Sequence, residues 1–264
     1  MVMKKNVVMF SVAGLFILLM FAIPIVFAAP SGGSLAAGSP QTAPSDPPGS
    51  DANAYAGNVT YLGITGFSTT RSWQGYFGNV SGTIELTDNQ NNTMYNWSLV
   101  EPSGEVYAST NSSFTWTNIQ CFNFTANATF DSEAGNGGTT NLRGRNLTGL
   151  ETLFNISTDD IDGVNETFAE VNHDLFYTAS QQFSANECPS THIFDSTGKG
   201  VDTNFEEVLL YEPVSTSIVF TALLEEGVLS GFNAQDNDFE MLVLENGHGT
   251  DIAASTYYFW VELE

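Results

Sequence analysis

The most constraining feature of this 264-residue chain is a period-two alternation of apolar and polar side chains in its first half. In three segments, 76–87, 94–99 and 122–130, every second residue is mostly apolar and the residues between are mostly Asn, Ser, Thr or Glu. Such alternation is typical of strands with one buried and one solvated face. Turn-forming residues at 88–92 and 102–104 separate the first strands. The pattern predicts a meander of antiparallel strands.

The second half of the chain carries four more predicted strands, at residues 204–212, 217–224, 239–244 and 255–263. Residues 239–244 hardly alternate, which predicts a central strand buried on both faces. In the last of these strands, one face is formed by Tyr257, Phe259, Val261 and Leu263.

Helical character is confined to one short segment in this interpretation. Thr148 and Glu151 resemble a capping box that opens a helix running through Phe154. The predicted fold class is therefore all-β: an antiparallel β-sandwich, or two packed sandwiches, with one short helix. A signal or anchor segment and a flexible linker precede it.

Residues 1–28 have the features of an export signal. Lys4 and Lys5 precede an apolar run at residues 7–27, and Ala28 ends a small-residue site of the kind that signal peptidases read. The run is also long enough to span a bilayer. Two alternatives stay open, cleavage after Ala28 or retention as a membrane anchor. Both place the rest of the chain outside the cell or at its surface, and contact with a membrane is expected only through an uncleaved segment.

The exported part divides by composition. Residues 29–54 are rich in Ser, Gly, Pro and Ala, which predicts a flexible linker. Beyond it lie a sequon-rich β part at 55–155 and an acidic β part at 156–264. These are two domains, or one domain spanning 55–264.

The charge balance excludes whole classes of partner. Asp and Glu number 30 against 6 Lys and Arg, a formal net charge of −24. A chain this acidic cannot neutralise the phosphates of a nucleic acid or of an acidic membrane. The apolar fraction of 42% predicts a folded core and argues against disorder.

Potential N-glycosylation sites of the form Asn-x-Ser/Thr are concentrated between residues 58 and 165. In the predicted strands these sequons fall on the polar side, as a bulky glycan requires. The alternative is an ordinary polar face. We predict glycans at Asn58, Asn79, Asn91, Asn96, Asn111, Asn123, Asn127, Asn146, Asn155 and Asn165.

The two cysteines, Cys121 and Cys188, are predicted to form a disulfide, because an exported chain without a CxxC motif is most simply read as carrying one structural bridge. Two separate buried thiols are the alternative. In the predicted strand pattern, Cys121 falls on the same, polar side as Asn123. It must therefore lie at a strand end, or the bridge must cross an exposed edge.

Calcium is the one cofactor that the sequence suggests. Asp159, Asp160 and Asp162 precede Gly163 and could supply oxygen ligands from one loop. A solvated acidic loop with Asx turns is the alternative reading.

Other candidate chemical residues form no complete motif. Cys188 and His192 have a spacing seen in metal sites, but the remaining cysteine and histidines do not complete a closed zinc site. His173, beside Asp174, and His248 have no nucleophile or metalloprotease motif near them. We predict no catalytic residues, with an extracellular hydrolase as the alternative.

Four tryptophans, Trp73, Trp97, Trp116 and Trp260, lie in or beside predicted strands. Exposed on a sandwich face, they could stack on sugar rings. Buried tryptophan in a β core is the commoner use.

Several stretches are similar to a group of secreted archaeal surface proteins that has no assigned molecular function. They are WQGYFGNVSGTIEL (73–86), MYNWSLVEPSGEVYASTN (94–111), CPSTHIFDSTGKGVD (188–202), FEEVLLYEP (205–213) and DFEMLVLENGHGTD (238–251). The resemblance implies an extracellular archaeal setting and supplies no catalytic residues.

These observations predict a secreted or envelope-tethered, acidic, N-glycosylated β-rich surface protein with a structural or cell-contact role. Its expected partners are copies of itself or other envelope proteins, and nucleic acid is excluded. The alternative is an extracellular carbohydrate-binding module, with calcium dependence, whose partner is a glycan.

Overall fold

The computed structural model describes residues 29–45, 48–113, 115–124, 147–157, 159–246 and 254–264. These ranges hold mostly antiparallel strands, with a 3₁₀ turn at Trp116–Asn118 and two short helices, α1 (Leu147–Leu153) and α2 (Val164–Thr167). The predicted all-β antiparallel fold class is confirmed. The strands are β1 (Trp73–Gly78), β2 (Thr83–Thr87), β3 (Thr93–Ser98), β4 (Gly104–Ser109), β5 (Gln120–Cys121), β6 (Phe176–Thr178), β7 (Gln181–Phe183), β8 (Ser190–His192), β9 (Glu206–Glu212), β10 (Ser217–Leu223), β11 (Phe239–Leu244) and β12 (Tyr258–Leu263).

A six-stranded sheet forms the centre of the fold. Its strand order is β12-β4-β10-β9-β5, and β8 pairs with the same edge of β9 as β5 does, nearer to the start of β9. β9 is buried along its whole length and β10 along most of it. The apolar runs at 208–211 and 218–220 fit strands covered on both faces, and β9 also buries Glu206, Glu207 and Glu212.

One face of the central sheet packs against the two-stranded sheet β1–β11 and against both helices. From the sheet, Leu209, Phe220 and Ala222 enter this core, and Met241 of β11 closes it from the opposite side. The predicted apolar face of the last strand is confirmed, because Tyr257, Phe259, Val261 and Leu263 all pack against this core.

The other face is covered by the hairpin β6–β7 and by the disulfide region. Tyr107, Val208 and Val219 point to this side and meet Phe176 and Phe183 of the hairpin. The two phenylalanine rings stack with centroids 4.8 Å apart. The fold therefore has a central sheet with a layer on each face.

The prediction of a central position for residues 239–244 was wrong. β11 has the predicted bounds and is well buried, but its described strand partner is β1 alone. β11 is buried because it packs face to face on the central sheet. An unbroken apolar run shows that a strand is buried, but it does not show whether the strand lies in the middle of a sheet.

The predicted strand at 76–87 is two strands that belong to different sheets. β1 ends at Gly78 and pairs with β11, whereas β2 begins at Thr83 and pairs with β3. The alternating pattern does not reveal this break, because it continues without interruption through residues 79–82, which connect the two strands.

The predicted strand at 122–130 was wrong where the structure describes it. β5 covers only Gln120–Cys121, residues 122–124 are not in a strand, and 125–130 lie outside the described residues. Conversely, β4 was not predicted although it is an interior strand of the central sheet, between β12 and β10. Its buried Glu105 hides it from a pattern that assumes apolar interiors.

The predicted helix exists as α1, but its start differs. α1 begins at Leu147, so Thr148 lies within the helix and is not its N-cap.

Helix α2 was not predicted. It is only four residues long, too short for an apolar periodicity to show in the sequence.

The predicted disulfide is confirmed. Cys121 and Cys188 are bonded with Cα atoms 5.0 Å apart, and both residues are buried. Cys121 is the last residue of the short strand β5, so the expected position at a strand end is the one observed. The bridge joins parts of the chain from both sides of residue 155.

The start of the N-terminal linker pairs with the fold, and Pro30 there is buried. Ser31 forms a two-way backbone bridge with Val261, and both hydrogen bonds measure 3.0 Å. The bridge lies on the outer edge of β12. Among the described residues no helix has the length and apolar character to cross a membrane, and the predicted signal or anchor lies outside them.

Candidate functional site

Two features stand out as candidate sites, and the first is an exposed apolar surface on the hairpin β2–β3. In its register Ile84 faces Trp97 and Leu86 faces Tyr95, so these four side chains share one face. Each is exposed, from 45% for Ile84 to 60% for Tyr95. We call these four residues the apolar hairpin face. The strand prediction for residues 94–99 was correct, but the expected burial of its apolar side was wrong.

A second exposed apolar stretch precedes β1. Residues 52–70 contain no charged side chain, and we call them the uncharged segment. Their large apolar side chains project into solvent, with exposures of 101% for Val59, 92% for Tyr61 and 88% for Ile64. Within the described structure, residues 59–69 belong to no strand and make no backbone–backbone hydrogen bond.

Most of the described sequons are accessible. Asn111 and Asn123 are half-buried, and the Asn111 side-chain amide donates a hydrogen bond of 3.0 Å to Ser217 Oγ. Asn127 and Asn146 lie outside the described residues. The exposed sequon asparagines are Asn58, Asn79, Asn91, Asn96, Asn155 and Asn165.

The tryptophans do not form a flat sugar-binding platform. Trp97 is exposed and its ring contacts Tyr95 at 4.9 Å, but the two planes are inclined by 63°. Trp73 packs against the larger core, and Trp116 and Trp260 pack against each other edge to face beside the smaller one. The exposed rings of Tyr95 and Trp97 therefore offer two separate surfaces and no joint coplanar platform.

The second candidate site is a group of metal-ligating side chains. Glu170, His192 and Asp202 each bring one ligand atom to within 4.8 Å of those of the other two. We call these three residues the acid–histidine cluster. The His192 Nδ1 atom lies 2.9 Å from a Glu170 carboxylate oxygen.

Strand register brings the first members of this cluster together. Glu170 pairs with Ser190 through an isolated antiparallel bridge, two residues before His192 on the same strand. On the other side of β8, His192 lies directly opposite Glu206 of β9. The His192 Nε2 atom is 3.7 Å from a Glu206 oxygen and has no hydrogen-bond partner. The imidazole is therefore placed between two carboxylates, with its side chain only 4% exposed.

A tight turn brings Asp202 to the same place. Asp195 caps the turn by accepting hydrogen bonds from Thr197, and Gly198 adopts a positive φ of 72°. Gly200 then passes close to β8: a Cβ there would lie 2.6 Å from the His192 carbonyl oxygen. Only glycine permits this approach, which carries the chain on to Asp202.

Further carboxylates surround the cluster. Glu206 accepts backbone hydrogen bonds from Asp174 and Thr203, and Glu225 accepts one from Phe205. Burial, together with the negative charges of Glu206 and Asp174, raises the pKa of Glu225 to about 7. The region is rich in carboxylates, a setting that favours a bound cation.

The residues predicted for calcium are used differently. Asp160 accepts a hydrogen bond from the Ser157 backbone, and Asp162 accepts one from the Thr70 hydroxyl. In the described part of the chain, the group of three convergent ligands is the acid–histidine cluster and not Asp159, Asp160 and Asp162. Calcium at the aspartate loop stays a prediction.

The other two histidines have separate fates. His173 is buried, and its Nε2 atom accepts hydrogen bonds from the backbone of Glu187 and Cys188 at 3.0 and 2.9 Å. It therefore orders the chain next to the disulfide. His248 lies outside the described residues.

In the sequence, His192 is distinguished only by its spacing from Cys188, and the disulfide removes Cys188 as a ligand. Glu170 and Asp202 were missed because no fixed motif links them to His192. The one available signal was the predicted strand at 204–212, since a strand next to it would place His192 beside one of its acids.

Comparisons with known proteins supply no further guidance, since no protein-family model, no curated protein and no solved structure matches this chain.

Proposed function

We propose that this chain is a secreted or envelope-tethered, N-glycosylated surface protein with a structural role, and that its copies join by strand addition. Residues 58–67 of the uncharged segment of one copy would lie along the hairpin β2–β3 of the next. The protein acts by contact, without catalysis.

The observation that carries this proposal is the simultaneous exposure of two apolar surfaces suited to each other. The apolar hairpin face belongs to a two-stranded sheet in which neither strand has a further partner among the described strands. A hairpin of two strands is marginally stable in water and gains from a third strand. Residues 58–67 are rich in Val, Thr, Tyr, Ile and Phe, the residue types favoured in strands.

Charge supports the same contact. Copies with a formal net charge of −24 repel one another over most of their surface. The uncharged segment and the apolar hairpin face have no charged side chain, so they can approach without an ionic penalty. Asn96 lies on the opposite side of the hairpin from Trp97, so a glycan there would leave the apolar face open.

Carbohydrate binding is the second candidate, and the exposed Tyr95–Trp97 pair is the observation that favours it. The two rings are inclined to each other and offer one stacking surface each, not a joint platform. A glycan ligand would need the hairpin face itself, so it would compete with strand addition.

The test uses the full chain, produced with its own N-terminal segment in an export-competent host so that processing and oxidation can occur. Light scattering measures the assembly of the wild type, of Leu62→Pro and of Ala54→Pro. Proline removes a backbone donor from a strand. We expect Leu62→Pro to remain monomeric and Ala54→Pro, outside the strand-like residues, to assemble as the wild type does.

Two results would overturn the proposal: a monomeric wild type at every concentration, or assembly of Leu62→Pro equal to that of the control. Glycan-array binding that depends on Trp97 in a monomeric wild type would support the carbohydrate-binding candidate instead.

A further inference from the structure

We infer that the acid–histidine cluster binds a divalent transition-metal ion, of which Zn²⁺ is the representative, through Glu170, His192 and Asp202. This site is separate from the strand-addition surface and does not depend on the proposed function.

The donor set of the cluster matches a transition-metal ion. One imidazole nitrogen and two carboxylates are typical ligands of Zn²⁺ and its neighbours in the first transition row. Calcium prefers six to eight oxygen ligands, and an imidazole nitrogen is a poor substitute for one of them. The cluster therefore discriminates against calcium, in contrast to the aspartate loop at residues 159–162.

The His192 Nε2 atom is buried and has no hydrogen-bond partner. The His192 side chain is 4% exposed, and this nitrogen makes no hydrogen bond although a Glu206 oxygen lies 3.7 Å away. A buried polar atom without a partner costs free energy. A metal ion bound to this nitrogen, with Glu170 and Asp202 as the other ligands, would satisfy the nitrogen and offset the clustered negative charge.

The distances between the ligand atoms are close to those of a metal site. Tetrahedral bonds of about 2.1 Å place ligand atoms about 3.4 Å apart. The ligand atoms of Glu170, His192 and Asp202 already lie within 4.8 Å of one another. Glu170 and Asp202 are exposed, so their side chains can rotate to close the difference while the backbone stays in place.

A bound ion would tie together three separate parts of the chain. Glu170 belongs to the segment that follows α2, His192 to β8 and Asp202 to the turn before β9. Ligand binding to the folded state alone raises the unfolding temperature by mass action. The ion would therefore stabilise this end of the central sheet.

The experiment is a calorimetric titration of the exported full chain with Zn²⁺ after treatment with a chelator. We expect one Zn²⁺ per chain and an affinity lowered about tenfold or more in Glu170→Gln and in Asp202→Asn. Both changes replace an exposed carboxylate with an amide of the same shape, so folding should be kept. Glu226→Gln, an exposed acid outside the cluster, is the matched control.

Co²⁺ provides a second readout, because tetrahedral coordination by nitrogen and oxygen gives a visible absorption band that the double variant Glu170→Gln/Asp202→Asn should lack. Ca²⁺ in excess should not displace Zn²⁺. The inference is overturned if Zn²⁺ does not bind, if Ca²⁺ competes equally, or if the double variant binds Zn²⁺ as tightly as the Glu226→Gln control.

Discussion

Glu105 and Glu262 lie directly opposite each other on the adjacent strands β4 and β12, both buried and both turned towards the hairpin β6–β7. Glu105 accepts a backbone hydrogen bond from Tyr177, and Glu262 accepts one from Ala179. The Tyr107 hydroxyl lies between them, 3.3 Å from Glu105 and 3.0 Å from Glu262. Two facing carboxyl groups therefore fasten the hairpin to the central sheet.

This pair predicts that the protein is more stable in mild acid than in base. Burial, with the charges of Glu264 and Glu262, raises the pKa of Glu105 to about 9, and burial raises that of Glu262 to about 7. Because the folded state holds these protons more tightly than the unfolded state, their contribution is complete below about pH 4.5 and is lost as pH rises towards about 9. The free energy of unfolding should fall across this window in urea titrations.

The matched variants for this prediction are Glu105→Gln and Glu85→Gln. The first places a neutral amide in the buried position and should flatten the alkaline decline. The second alters an exposed glutamate of the hairpin β2–β3 and should leave the profile unchanged. Stability that rises steadily towards pH 9 in the wild type would contradict the assignment.

Removing the hydroxyl that links the two glutamates should destabilise the fold. Tyr107→Phe leaves Glu262 and the Tyr177 carbonyl without this partner. We expect a loss of about 1–3 kcal/mol in the free energy of unfolding, the usual cost of an unsatisfied buried polar group. Chemical denaturation measures it, and Tyr95→Phe on the exposed hairpin face is the control expected to show no change.

The disulfide should account for a large part of the stability. Cys121 and Cys188 are separated by 67 positions, and closing a loop of this size contributes about 4 kcal/mol in the chain-entropy model. The double variant Cys121→Ser/Cys188→Ser should lose roughly this amount. Thiol titration of the denatured, unreduced wild type should find no free thiol, and two per chain would refute the bridge.

Glycan occupancy should follow accessibility. Asn96 is exposed on the polar side of β3, whereas the Asn111 amide is half-buried and already donates to Ser217. We expect glycopeptide mapping of the native protein to find Asn96 modified and Asn111 largely unmodified, because a modified Asn111 would have to leave its hydrogen bond. Modification of Asn111 with Asn96 bare would contradict this order.

Strands whose buried side chains are apolar could be predicted from the sequence, and a strand that buries a carboxyl group could not. The strands at 239–244 and 255–263 were predicted closely, since long apolar stretches report burial wherever their partners lie. β4 was missed because Glu105 is buried beside a second glutamate. A buried glutamate and an exposed glutamate look the same in the sequence, so the polar–apolar pattern cannot distinguish them.

By itself, the sequence determined that this is a strand-rich, disulfide-linked chain, and it excluded basic-patch binding through its missing lysines and arginines. Alternation also showed which side of β3 is apolar. Only the tertiary structure decided that no layer of the described chain covers that side, because coverage depends on where distant segments pack. The same holds for Glu170, His192 and Asp202, which strand register and one glycine-dependent turn bring together across separations that leave no local pattern.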